Sequence, residues 1–383
     1  MLRRLLFILL SIQSSAVSLT APSDVLALQS IKSSINPISI PTWSCLFSWN
    51  FTSDPCSPSR IPSHFICGIT CSSSSSRILS LVLDPAGYAG RLSPLISNLT
   101  FLTHLDLSDN SFTGPIPPSL SLLSNLQTLT LTSNSFTGPV PSSLSNLTSL
   151  QSLDLSRNSL TGPLPANMAS MSALRTLDLS FNELSGSLPK LPPNLVQLAL
   201  KGNSLTGTVS RSVFGRLNSL EVVELGDNGL SGRIGGWFFL LPSLQQVDLA
   251  KNSLTGVEVP KGGSSAVVAV DLGFNGIEGR LAAEWAGFRR LSALSLRHNR
   301  LKGGIPMEYG LKRPEPFKRL FLDGNFLKGT VPDGFLGSDS IWGSFGDNCL
   351  EGCPASSTLC LPRQKPVTVC RQVYGKRTRG LSD

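Results

Sequence analysis

Pairs of aliphatic residues one position apart return along this chain at a nearly constant interval. They are Leu81 and Leu83, Leu105 and Leu107, Leu129 and Leu131, Leu153 and Leu155, Leu177 and Leu179, Leu198 and Leu200, Val223 and Leu225, Val247 and Leu249, Val270 and Leu272, Leu294 and Leu296, and Leu320 and Leu322. In an extended segment successive side chains alternate between faces, so each pair points inward while its neighbours point outward. Eleven short strands are therefore predicted. Behind them runs a polar column of ten asparagines, Asn110, Asn134, Asn158, Asn182, Asn203, Asn228, Asn252, Asn275, Asn299 and Asn325, spaced by about 24 residues. Self-similarity at that period predicts a stack of coils, because each unit can bury its apolar face only against its neighbours. At roughly 4.8 Å between strands, the inner parallel sheet would run about 50 Å.

The asparagines call for a structural explanation before a functional one. Where a coil leaves its strand, backbone groups lose their partners, and a buried carboxamide supplies both a donor and an acceptor. The column is predicted to be fold, with Ala86 interrupting it in the first coil. After the asparagine comes a Leu/Phe-Thr/Ser-Gly-x-Ile/Val/Leu-Pro type of phrase, at 112–117, 136–141, 160–165, 184–189 and 327–332. Its Gly permits a tight bend, and its Pro stops regular helix from starting there. The Leu-x-Leu-x-x-Asn core is that of a leucine-rich repeat. The fold class is thus an α/β repeat solenoid of about eleven repeats with a concave parallel β-sheet.

All eight cysteines lie outside the repeats: Cys45, Cys56, Cys67 and Cys71 before them, Cys349, Cys353, Cys360 and Cys370 after. End coils expose apolar core on one side, so caps must cover them, and in an oxidising compartment disulfides would hold those caps. Four cysteines at each end allow three pairings. The working set is Cys45 with Cys67, Cys56 with Cys71, Cys349 with Cys370 and Cys353 with Cys360, the other pairings staying open. With only His64, His104 and His298 and no paired Cys-x-x-Cys spacing, neither a metal nor another cofactor is expected. Asp24, ahead of Val25, Leu26, Leu28 and Ile31, reads as the cap of an amphipathic helix over the first coil. The run 72–76 has no apolar residue and reads as a loop.

Beyond that helix stand Ser48-Trp49-Asn50 and Asp54-Pro55-Cys56, closing at Cys67-Gly68-Ile69-Thr70-Cys71. With the Gly-x-Ile-Pro phrase, this resembles plant extracellular leucine-rich-repeat proteins over about residues 24–360: receptor-kinase ectodomains, receptor-like proteins and polygalacturonase-inhibiting proteins. The insert 57–65 and the additional Cys45 and Cys67 depart from that pattern. The resemblance implies a right-handed superhelix, a second short strand at the Gly-x-Ile-Pro phrase and a C-terminal cap after Asn348. It also implies a peptide or protein ligand, with a receptor-kinase co-receptor as a further partner. The chain divides into a signal peptide 1–21, an N-terminal cap 22–77, repeats 78–345, and a C-terminal cap with a basic tail 346–383.

Residues 1–21 read as an export signal: Arg3 and Arg4, an apolar stretch over 5–10, then small residues around Ala16 to Ala21. No later run reaches the length of a membrane span, and the tail is polar and basic. A soluble chain secreted to the apoplast or cell wall is expected, or one peripheral at the plasma membrane through a partner. The net charge of +8 on 15% charged residues comes without the Lys/Arg blocks of nucleic-acid binders, so no nucleic-acid partner is expected. Much of the excess lies beyond residue 280, at Arg289-Arg290, Lys312-Arg313, Lys318-Arg319 and Lys376-Arg377. That is either a solvated face or an attraction to acidic partners such as pectin or an acidic protein. Asn50, Asn98 and Asn146 head Asn-x-Thr glycosylation acceptors, the last two at one outer position two repeats apart, where sugars would shield the convex side.

On such a frame, binding belongs to outward side chains. The strand column Val82, Asp106, Thr130, Asp154, Asp178, Ala199, Glu224, Asp248, Asp271, Ser295, Phe321 is acidic because Leu-Asp-Leu is the repeat's own consensus, which needs no metal. Departures from consensus mark the candidate ligand contacts. These are Arg157, Phe181, Lys201, Lys251, Phe274, Arg297 and His298 on the strands' exit edge, and Arg175, Lys318, Arg319 and Phe321 on the concave strands. Exposed aromatics beside Arg are favoured at hot spots. Repeat lengths add a second signal: 21 residues separate Asn182 from Asn203, with 189–193 replacing the outer segment, and 26 separate Asn299 from Asn325, with 312–316 inserted. Insertions in repeats map to loops on one face. Trp237 is expected on the convex side, partly buried beside Phe238 and Phe239.

Signatures of kinases, Gly-x-Ser-x-Gly hydrolases and His-Glu-x-x-His metalloproteases are missing, and no enzyme is expected. The function expected is recognition of a peptide or protein ligand in plant receptor signalling, in development or defence. The alternative is inhibition of a microbial wall-degrading enzyme such as polygalacturonase.

Overall fold

The computed structural model describes residues 20–56, 67–73, 76–262, 265–335, 341–354 and 357–375. The expected export signal apart from its last two residues, the insert 57–65 and the basic tail from 376 lie outside them.

Each aliphatic pair contributes to a short inner strand, as in His104–Asp106, Thr128–Thr130 and Arg319–Phe321. Neighbouring strands pair in parallel with like positions opposite: Leu105 faces Leu81 and Leu129, and Leu177 faces Leu153 and Leu198. The result is a 13-stranded inner sheet. It exceeds the expected strand number at both ends. Ile69–Cys71 adds an antiparallel strand at the N-terminal cap, and Trp342–Ser344 adds a parallel one beyond Arg319–Phe321. The latter escaped the aliphatic pattern because Gly343 stands opposite Leu320 and aromatic Phe345 takes the second inward position.

The Gly-x-Ile-Pro phrase forms a second strand in each coil, among them Ser111–Pro115, Ser135–Pro139 and Ser159–Pro163. These strands make an eight-stranded outer sheet from Ala89–Arg91 to Ser253–Val257, followed by a four-stranded one from Glu278–Arg280 to Cys349–Leu350. The helical component is smaller than an α/β description suggests. The outer segments are 3₁₀ turns such as Pro94–Asn98, Pro118–Leu122 and Ser142–Asn146, or four-residue helical turns such as Arg211–Phe214. Longer helices occur at the caps, Pro22–Ser33 and Val367–Tyr374. Proline opening a short segment allows little else.

The asparagine column is the frame's main polar tie. Asn158 Nδ2 donates to the carbonyls of Leu131, Leu155 and Ser156 at 3.0–3.1 Å, and its Oδ1 accepts from Phe136 N–H at 2.9 Å. Fully buried Asn325 repeats this with Leu296, Leu322, Asp323 and Leu301, and Asn348 continues the column into the C-terminal cap. In the first coil, where Ala86 offers no carboxamide, Tyr88 Oη donates to Asp84 and accepts from Leu46 N–H, joining coil to cap.

The caps correct one expectation. Helix Pro22–Ser33 begins two residues before Asp24, whose side chain makes no N-terminal cap. Asp24 is instead fully buried and paired with Arg77 at 2.9 Å, also accepting from Ile78 N–H, so it locks the helix onto the inner strand Ile78–Val82. The cysteines pair as Cys45–Cys67, Cys56–Cys71, Cys349–Cys370 and Cys353–Cys360. Among the described residues no helix is long and apolar enough to cross a membrane.

Candidate functional site

The acidic stripe on the concave face is tied to the backbone. Asp106, Asp154, Asp178, Asp248 and Asp271 each accept the N–H two residues on, at 2.8–3.0 Å, and so close the turn at the strand's exit. Burial raises the Asp154 pKa above the usual carboxylate value; hydrogen bonds from Ser156 oppose the shift, while Asp178 and Asp106 add to it. Among the described residues no cluster of His, Cys, Asp and Glu could hold a metal ion.

The residue before each ladder asparagine turns the chain through left-handed backbone. Here φ is 52° at Arg157, 56° at Phe181, 53° at Lys251, 55° at Phe274 and 51° at His298, where other coils use Asp109, Ser133, Gly202 or Gly324. A side chain in that conformation costs about 1–2 kcal/mol relative to glycine. Phe181 and Phe274 are each 44% exposed, so burial does little to offset the cost. The turn thereby places these side chains, all exposed, along the rim of the concave sheet. Glycines beside them leave room: a Cβ at Gly202 would come within 2.7 Å of the Phe181 ring, and one at Gly324 within 2.5 Å of His298 Nδ1.

Six of the expected contact residues, Lys201, Lys251, Phe274, Arg297, Arg319 and Phe321, meet around one hollow of about 470 Å³ on the concave face. Its floor is formed by strands Val222–Glu224, Gln246–Asp248, Ala269–Asp271 and Ala293–Ser295. One end is acidic, with Glu224, Asp227, Asp248 and Asp271. Lys201 reaches across it to Asp248 at 2.9 Å, and that bond raises the lysine pKa above its ordinary value despite partial burial. The other end is aromatic and cationic. His298 stacks on Phe274 at 4.4 Å, and the Arg297 guanidinium lies 5.1 Å from the centre of the Phe321 ring. Phe321 meets Trp342 edge-on at 5.7 Å, and Arg319 lies 5.4 Å from the same indole.

Asp323, almost fully buried, fixes this end from below by pairing with Arg297 at 3.0 Å, with His298 Nε2 at 3.5 Å. Its Oδ1 and the Ser295 Oγ in the lining are buried without hydrogen-bond partners among the described residues. Buried polar groups rarely stay unpaired.

Trp342, 66% exposed, was not singled out in the sequence. The signal was present: placing Phe345 and Asn348 in the repeat register puts Trp342 opposite Arg319. Arg157 and Phe181 form a separate pair, 4.9 Å apart, on the N-terminal half. Arg175 and Lys318 correct an expectation, since each stands one residue before its strand, Thr176–Asp178 or Arg319–Phe321, rather than on it. Asn98 and Asn146 end the outer turns Pro94–Asn98 and Ser142–Asn146, while exposed Asn50 accepts from the N–H and hydroxyl of Thr52. Trp237 is half-buried in an outer turn, edge-on to Phe238 at 5.7 Å.

Family models described as leucine-rich repeat match residues 101–123, 124–184 and 193–254. Receptor-like protein 7 of Arabidopsis thaliana is 32% identical over 144 residues, 37% of this chain and 14% of that protein. A solved structure of the plant peptide hormone receptor RGFR1 in complex with RGF2 superposes with a TM-score of 0.64 at 30% identity, covering 68% of this chain and 42% of that one. The chain thus spans less than half the length of either. A plant ice-binding protein structure superposes with a TM-score of 0.62 at 25% identity, over 88% of this chain and 99% of that one. The repeats, the two-sheet coils and these likenesses agree: the chain is built of leucine-rich repeats and is similar to plant receptor-like proteins and receptor ectodomains.

Proposed function

We propose that this chain is an extracellular recognition module that binds a peptide or protein segment across the C-terminal half of its concave face, from Lys201 to Trp342, in plant receptor signalling. The observation that carries the reading is the cluster of exposed Phe274, His298, Arg319 and Trp342 with half-buried Arg297 and Phe321 beside an acidic floor. Aromatic and Arg side chains on a rigid frame bind with little ordering cost, and the two charged ends would orient a segment bearing both signs. The receptor superposed above is in complex with a peptide hormone, which supports the same ligand class here. The remaining expected contacts, Arg157, Phe181, Arg175 and Lys318, would extend the footprint along and beside the sheet. A membrane-held co-receptor and sugars on Asn50, Asn98 and Asn146 belong to the same reading.

The test is selection of peptides from a displayed random library on the full chain. Selected peptides should lose about 30-fold in affinity for Trp342→Ala, the hot-spot magnitude of ~2 kcal/mol. They should keep their affinity for Thr137→Glu on the outer sheet. Peptides indifferent to Trp342, Arg319 and Phe274 would defeat the reading.

A second reading rests on the ice-binding neighbour, which is matched over nearly its whole length. The outer sheet sets hydroxyl side chains in register, Thr113 opposite Ser135 and Thr137 opposite Ser159. Thermal hysteresis of the purified chain, abolished by Thr137→Glu, would favour that reading instead.

A further inference from the structure

The short coil between Asn182 and Asn203 leaves a gap in the row of outer turns. Met168–Ser170 and Arg211–Phe214 flank it, and no helical turn lies between strands Glu183–Ser187 and Gln197–Ala199. The missing turn opens a cleft of about 410 Å³ on the convex side, with Ala169 and Ser212 in its lining. Leu191, Pro193, Val213 and Leu217 supply an apolar floor, and Lys190, Arg211 and Arg216 stand around it. No carboxylate lines the cleft, and among the described residues none of the three cations forms an ion pair.

We propose that this cleft binds a small organic anion with an apolar body, its carboxylate or sulfonate head held by Arg211, Arg216 and Lys190. Three like charges gathered without a counter-charge repel one another, and an anionic head relieves that repulsion while taking bidentate guanidinium bonds. The apolar floor selects against a fully hydrated inorganic anion, which would give up water for nothing in return. The volume is that of a small-molecule cleft lined by apolar groups with a few convergent charges. The site shares no residue with the concave hollow, so it stands or falls independently of the peptide reading.

Isothermal titration of the full chain with 2-naphthoate, 2-naphthalenesulfonate and acetate tests it. At least one naphthyl anion should bind with Kd of about 1 mM or tighter, as ordinary ligand efficiency gives for that size, and acetate should bind at least tenfold more weakly. Whichever naphthyl head binds better identifies the anion class. Arg211→Gln and Arg216→Gln, at exposed positions and checked by an unchanged Tm, should each weaken binding about tenfold, whereas Phe274→Gly should not. Equal affinity for acetate and naphthoate would reduce the cleft to a solvated basic face. Absence of naphthyl binding, or binding indifferent to both arginine variants, would overturn the proposal.

Discussion

At the scale of single residues, conspicuous side chains divide into those that hold the backbone and those the backbone holds at a cost. Asn325 satisfies four backbone groups from a fully buried position, so Asn325→Ala should destabilise the chain by about 3 kcal/mol, read as a lower urea midpoint. Phe274 occupies left-handed backbone at 44% exposure, so Phe274→Gly should leave stability unchanged or raise it by up to ~1 kcal/mol while weakening peptide binding. Asp154 sits between these cases. Its carboxyl titrates above the ordinary 3.8 of an unfolded Asp, so in that window the folded chain binds the proton first and gains relative stability as pH falls. Asp154→Asn keeps an oxygen for the Ser156 N–H and hydroxyl, and at pH 7 should be as stable as wild type or more so by up to ~1 kcal/mol. The difference should shrink on acidification towards pH 4, which parallel melts of the two proteins would show.

At the scale of elements, the inner strands were legible because their apolar pairs recur without exception from Leu81 to Leu322. The strand Trp342–Ser344 was not, since a glycine and an aromatic residue fill its inward positions. Asp24 was misread because a carboxylate early in a helix looks alike whether it caps the helix or pairs with a distant arginine; Arg77 is 53 residues away. The hollow was half legible: departures from consensus marked six of its lining residues, but not that Asp323 and Trp342 would tie them together, which depends on register between coils. Caps are separable elements. Removing the Cys349–Cys370 bridge by serine substitution, across a sequence separation of 21, should cost about 3 kcal/mol in the chain-entropy model. Hydrogen exchange should then accelerate first at Gly303, whose N–H donates to Tyr374 Oη on the helix Val367–Tyr374.

For the whole molecule, a uniform frame carries a non-uniform concave face. Repeats in the N-terminal half present mostly Asp, Thr and Ser, whereas the hollow between Lys201 and Trp342 combines an acidic floor with stacked aromatics and guanidinium groups. Recognition should follow that asymmetry. The most direct measurement is hydrogen exchange of the full chain with and without a library-selected peptide at saturating concentration. Exchange should slow along the inner strands from Val222–Glu224 to Trp342–Ser344 and at the exit-edge residues Phe274 and His298, with the outer turns unchanged. Protection confined to the outer sheet, the convex turns or the N-terminal cap would contradict it.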